Sequence, residues 1–190
     1  MATPIAQIIE PTIAEIYGTF FGTIDPDGVK KIANSISTAS SIETIKKVHL
    51  AFQSNGGGIG EGVALYNLFR VLPFDLVLYN IGTIASIAVV AYLGAKVRRT
   101  SAHAAFMMHR TQTTTQFANT QTIRSFAESA ILADNRTEAI LRHHITMPEE
   151  KWAHFNHNDL WFSAEDAVKC GLADEIGEFD PPAGTKLFYV

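Results

Sequence analysis

Ser86, His109 and Asp159 are the residues of this 190-residue chain whose types together suit nucleophilic catalysis. Acyl transfer needs a nucleophile, a base within hydrogen-bond reach, a group that orients the base, and donors for an oxyanion. Ser86 follows the short apolar run Val77–Ile81 and the break at Gly82, and falls in the first turn of a helix read over Ile84–Leu93. A hydroxyl there meets orphan backbone N–H groups and the positive end of a helix dipole, which favours an alkoxide-like nucleophile. A serine among small residues at an apolar helix start is equally a packing residue. His109 follows the apolar strand Ala105–Met108, and Asp159 stands in the aromatic run His157-Asn-Asp-Leu-Trp161. A carboxylate buried in such surroundings needs a partner, and an imidazole is a natural one.

The elements that must position these groups alternate between strand and helix. Glu15–Ile24 is rich in aromatic and β-branched residues and reads as a strand. Asp25-Pro26 then starts a helix, with Asp25 as N-cap, Pro26 at the first helical position and Val29, Ile32, Ala33 and Ile36 along one face. Lys47–Phe52 alternates as a second strand. It runs into Gln53–Gly62, where five of the 13 glycines fall in seven residues, and Val63–Leu72 resumes helical spacing. Strand, glycine turn and helix is the order of a phosphate cradle, but the Lys-Ser/Thr ending of a P-loop is missing and no GxGxxG fits, so no nucleotide cofactor is expected. The glycines instead point to a close approach of the backbone to some ligand. Short strands follow at Val97–Thr100 and Ala105–Met108.

Between Ala95 and Cys170 there is no glycine and only one proline, Pro148. Apolar residues from Ile123 to His144 recur at three- and four-residue steps, so one long helix is expected from about Gln116 to His144. It outruns a small core, and its apolar stripe calls either for a partner subunit or for a place across its own domain. Pro148–Trp152 begins a short helix, and Ser163–Gly171 reads as another, with a serine N-cap and a glycine just past its end. This alternation implies one α/β domain over residues 1–190 with a largely parallel sheet, a short N-terminal arm over 1–14 and a C-terminal tail over 178–190.

Composition narrows the function. With 47% hydrophobic and 18% charged residues the chain is globular in type, and a net charge of −4 without a basic block argues against nucleic acid. Lys96, Arg98 and Arg99 are the one basic cluster, explained by a solvated strand edge. A lone cysteine, Cys170, excludes an internal disulfide and suits a reducing compartment. No signal peptide or membrane span is read, so a cytoplasmic protein without a membrane partner is expected. His154, His157 and Asp159 match no standard metal signature, and no metal is expected. His143-His144 suit the negative end of a helix dipole, while His49 and His103 carry no signal beyond their strands.

Four motifs in order, Ser54-Asn-Gly-Gly57, Gly82-Thr-Ile-Ala-Ser-Ile-Ala88, Met107-Met-His109 and Asn158-Asp-Leu-Trp-Phe-Ser-Ala164, resemble the ClpP family, the proteolytic subunit of the Clp protease. The resemblance runs from about Ile16 to Ile176. It implies the ClpP/crotonase-like fold of repeated β-β-α units with a protruding handle helix, which the long helix at about 116–144 would supply. It implies Ser86 as nucleophile, His109 as general base, Asp159 as orienting acid, and the backbone N–H groups of Gly57 and Ile87 as oxyanion donors. It further implies a homo-oligomeric ring, often a stacked double ring, that hydrolyses peptides or unfolded protein without a cofactor of its own. An AAA+ ATPase unfoldase would supply the substrate, although the segment before the first strand is shorter than the family's usual one. Asn55 replaces the turn proline, Ile87-Ala88 replace Met-Gly, and Arg110-Thr111 replace Gln-Pro. Two rivals keep the fold: a crotonase-type acyl-CoA enzyme using a carboxylate such as Glu61, and a non-catalytic ring subunit.

Overall fold

The computed structural model describes residues 14–112, 114 and 118–190. In chain order the elements are β1 (Ala14–Phe21), α1 (Pro26–Ser40), β2 (Ile45–Ser54), α2 (Ile59–Phe69), β3 (Asp75–Ala85), α3 (Ile87–Tyr92), β4 (Val97–Thr100) and β5 (Ala105–Met108). They continue with α4 (Thr120–His144), α5 (Glu149–Phe155), β6 (Leu160–Phe162), α6 (Ala164–Cys170), β7 (Glu175–Ile176) and β8 (Phe188–Tyr189). The arm expected over 1–14 falls outside the described residues except for Ala14, as does Gln116, where the long helix was expected to begin.

One sheet runs in the order β6-β5-β3-β2-β1-β8, with β4 and β7 branching from β3. Every pairing is parallel except β5 with β6. β2 and β3 are central and buried on both faces, which is why Val48–Phe52 and Leu76–Asn80 carry little polarity. The helix ends follow local chemistry. Asp25 accepts from the Gly28 N–H at 2.8 Å with Pro26 beginning α1, Ser163 caps α6 at Asp166, and Gly171 closes α6 with a left-handed φ of 84°.

β3 does not stop at Gly82. It continues to Ala85, and the helix expected from Ile84 starts at Ile87, which leaves Ser86 at the junction. An apolar run of this length serves a buried strand or a buried helix equally well, and pairing decides. Residues Val77–Asn80 pair with β4, whereas Thr83–Ala85 pair with β5. Fully buried Asn80 ties the changeover: its amide donates to the Ala105 carbonyl at 2.8 Å and its side-chain oxygen accepts from the Gly82 N–H at 3.1 Å. α2 likewise starts at Ile59, within the glycine run.

α4 is 25 residues long, about 37 Å. Only Ala133 and Leu141 on it are buried, while Ile123, Phe126, Ile131 and Leu132 are exposed. Lys96 and Arg99 pair with Asp75 and Glu175 at 2.5 and 2.6 Å, and Arg98 pairs with Asp174, so the basic cluster is matched by acids rather than simply solvated. The C-terminal segment returns to the open edge of β1 as β8. The ring of Phe188 occupies the space above Gly18, where a Cβ would come within 2.3 Å of it. No described helix is long and apolar enough to cross a membrane.

His144 departs from the helix-dipole expectation. It is half-buried, and its Nε2 is hydrogen-bonded to the Tyr66 hydroxyl at 3.1 Å. Burial, aided by nearby Arg98, His143 and Arg70, lowers its pKa to about 4, so desolvation outweighs the dipole. The folded ring stays neutral where the unfolded ring, at about 6.5, takes a proton. Stability is therefore full above that value and falls as pH drops towards 4. Replacing His144 by Phe should flatten this part of the stability–pH profile in chemical denaturation; an unchanged slope would mean that another group is responsible.

Candidate active site

The junction between β3 and α3 is strained. Ser86 has φ 57° and ψ −133°, the only positive φ of a non-glycine among the described residues. Such a conformation costs about 1–3 kcal/mol and persists only where its surroundings over-determine it. Here the Ser86 N–H donates to the Met107 carbonyl of β5 at 2.8 Å, and the Ser86 carbonyl accepts from Val89 N–H at 3.1 Å. The hydroxyl makes no capping bond within α3 and lines a cavity instead.

The glycine turn is built around this elbow. A Cβ on Gly56 (φ 101°) would lie 2.6 Å from the Ser86 Cβ, and one on Gly57 (φ 150°) would lie 2.2 Å from the Ile24 carbonyl oxygen. The glycines, expected for close approach to a ligand, here admit the chain's own Ser86 and Ile24. Ile24 N–H donates to Gly56 at 2.9 Å and Gly58 N–H donates to Ile24 at 2.7 Å, so the N–H of Gly57 points to the opposite side of this bridge. Ile87 opens α3, and its N–H is one of the helix's unpaired first donors.

Gly57, Ser86, Ile87 and His109 line one cavity of about 220 Å³, which is completed by Ile59, Val90 and, from α4, Thr137 and Leu141. His109 lies one residue past β5. Its Nδ1 is 2.6 Å from the Arg110 carbonyl oxygen, which can only accept. Nδ1 therefore carries the proton, and in the neutral ring Nε2 is left as the basic nitrogen, the form a general base requires. No hydrogen bond joins His109 to Ser86 or to Asp159 among the described residues.

Asp159 lines an adjoining groove of about 150 Å³ that shares His109 and Arg110 with the first cavity. It is exposed, not buried as its aromatic neighbours suggested. β6 pairs antiparallel at the sheet edge, and its alternation sends Leu160 and Phe162 inwards while Trp161, 63% exposed, faces out. The backbone phase at the strand start, not the character of the neighbours, decides burial. Glu61 folds back over Gly58, where a Cβ would meet its Oε2 at 2.1 Å, and lines neither cavity.

The Clp protease family model matches residues 10–180. The chain is a member of the Clp protease family. It is 28% identical over 160 residues to the ATP-dependent Clp protease proteolytic subunit 1 of Gloeobacter violaceus, covering 83% of this chain and 81% of that one. To the proteolytic subunit 3 of Rhodococcus jostii it is 27% identical over 158 residues, 82% and 77% of the two chains. Its fold matches that of a mutant ClpP1 from Listeria monocytogenes with a TM-score of 0.74 at 17% identity, over 90% of this chain and 94% of the other. The mixed α/β architecture is the ClpP fold.

Sequence reading missed the surroundings of His109 in this Clp protease family member. Arg110, noted only as a departure, donates through Nη2 to Glu138 at 2.5 Å and through Nε to Asn156 at 3.1 Å. Burial works to raise the Glu138 carboxyl, but hydrogen bonds from Arg142 and Arg110 outweigh it and hold Glu138 below the usual range. The Glu138–Arg142 spacing of four was a visible helix pair; its reach to Arg110 was not.

Because glycine tolerates the Ser86 dihedral angles and alanine does not, Ser86→Gly should be more stable than Ser86→Ala by about 1 kcal/mol. Equal denaturation midpoints would show that the elbow stores no strain.

Proposed function

We propose that this chain is a serine peptidase that cleaves peptides or unfolded protein within an oligomeric chamber. Ser86 attacks the scissile carbonyl, Nε2 of His109 takes its proton, Asp159 orients the imidazole, and the N–H groups of Gly57 and Ile87 stabilise the oxyanion. What carries the reading is the strained Ser86 elbow, which opens onto the same cavity as His109 and both donor residues. Backbone donors fit the departures at 55 and 87–88, because side-chain changes there leave the N–H groups in place. The whole chain acts as one peptidase domain. The exposed Ile123, Phe126, Ile131 and Leu132 of α4 suit contact with another copy, as in a ring or stacked rings. The relatives are named as ATP-dependent, which supports an ATPase that feeds the chamber. Glu61, turned onto Gly58, does not favour acyl-CoA chemistry.

The carbonyl bond to His109 Nδ1 favours a second reading, a ring subunit that does not itself cleave. Covalent labelling separates the two. A fluorophosphonate should label Ser86, and His109→Ala should abolish labelling. Ser86→Ala should lower peptide cleavage by roughly 10⁴-fold or more while native mass is unchanged. Cleavage that survives Ser86→Ala would mean another nucleophile; no labelling of the native protein would favour the non-cleaving subunit.

A further inference from the structure

His109 Nδ1 has a single proton to donate, so the Arg110 carbonyl and the Asp159 carboxylate are exclusive acceptors for it. The carbonyl holds it in this structure, at 2.6 Å, and the carbonyl's own position is set by side chains. The Arg110 guanidinium donates to Glu138 at 2.5 Å and to Asn156 Oδ1, and its carbon lies 4.8 Å from the centre of the Phe155 ring. One residue on, the Thr111 N–H donates to Asp134 Oδ1 at 2.8 Å. The turn after β5 is thus bound to α4 through two carboxylates and to the end of α5 through Asn156 and Phe155. Arg142 holds Glu138 from the other side at 2.7 Å and reaches Glu149 at 2.9 Å.

We propose that Arg110 is a positioning residue that keeps His109 in a resting orientation. Its clamp to Glu138 and Asn156 presents the Arg110 carbonyl to Nδ1, and the imidazole turns to Asp159 and Ser86 only when the clamp loosens. The proposal rests on the peptidase reading. The arrangement suits such a role because Arg110 is partly exposed, with 23% of its side chain open to solvent, so the clamp is held by contacts a modest motion of α4 can break. Asp159 stands on the rim of the same groove, within the short segment Phe155–Asp159 that carries Asn156. Release of Asn156 and approach of Asp159 therefore involve one piece of chain. A bond to a neutral carbonyl sets the tautomer of the base, but only the carboxylate also stabilises the imidazolium that forms during acyl transfer.

The test is the rate of Ser86 labelling by a fluorophosphonate, together with kcat and KM for a short peptide, in the full chain. Arg110→Ala and Glu138→Gln should each raise labelling and kcat several-fold, up to on the order of tenfold, with KM little changed, as for a shift in a resting population. Arg110→Lys, which keeps the charge but not the forked geometry, should fall between the native protein and Arg110→Ala. Adding Asp159→Asn should remove the gain, because the released imidazole then lacks its charged acceptor. A merely structural arginine would give the opposite result, lower rates in Arg110→Ala, and that outcome overturns the proposal. A gain that persists with Asp159→Asn overturns it too. If the native protein and every variant fail to label, the peptidase reading falls, and this inference with it. Labelling that is equal in the native protein and Arg110→Ala sinks the inference alone.

Discussion

The hydrogen bond from the Ser86 N–H to the Met107 carbonyl is the contact on which the site depends. It extends the β3–β5 ladder one step past the last paired residue of β3, into a residue whose dihedral angles no longer belong to a strand. Two residues beyond Met107 stands His109. A single ladder bond therefore ties the serine backbone to the strand that delivers the imidazole. Any slip in β5 register would move both, and would put alternate residues of β5 on the wrong face. Asn80 protects that register from behind by fastening β3 to Ala105 at the point where β3 changes partner.

The two sides of the cavity are supported differently. On the Ser86 side glycines admit close neighbours: Gly56 packs on the Ser86 Cβ and the Ala85 carbonyl, Gly57 on the Ile24 backbone, and Gly62 on the side chain and carbonyl of Ile87. Contacts this close leave no slack, since even a methyl group would collide. On the His109 side no strand continues past Met108. The chain there is held by the side chains of Arg110, Asp134, Glu138 and Asn156, which lie partly in solvent. Partly exposed ion pairs contribute little and adjust readily. In this Clp protease family member the serine elbow is the rigid half of the candidate site, and His109 sits on the adjustable half.

Much of the fold was legible in order and type. Asp25, Pro26, Ser163 and Gly171 mark helix ends through bonds and dihedral preferences that act over three or four residues, and the structure uses each of them in that way. The long helix was readable from its period, because no glycine or proline interrupts it. The stretch from Gly82 to Ile87 was not readable, since an apolar run satisfies a buried strand and a buried helix alike. The return of the chain end to β1 as β8 carried no local signal beyond the small residue, Gly18, against which Phe188 comes to rest.

What the amino-acid order determined by itself was the inventory and its sequence: a serine after an apolar run, a glycine turn, a histidine at a strand end and an aspartate in an aromatic run, with caps that act through neighbours in the chain. The tertiary structure alone decided that Ser86 adopts a left-handed elbow, that Asp159 faces solvent, that His144 stays neutral, and that the Arg110 carbonyl holds the His109 proton. Each of these turns on partners between 21 and 78 residues away or on the burial they impose, or, for His109, on what anchors its neighbour. Local propensity has no access to desolvation or to competition between distant acceptors, and these are the forces that settle the state of a site.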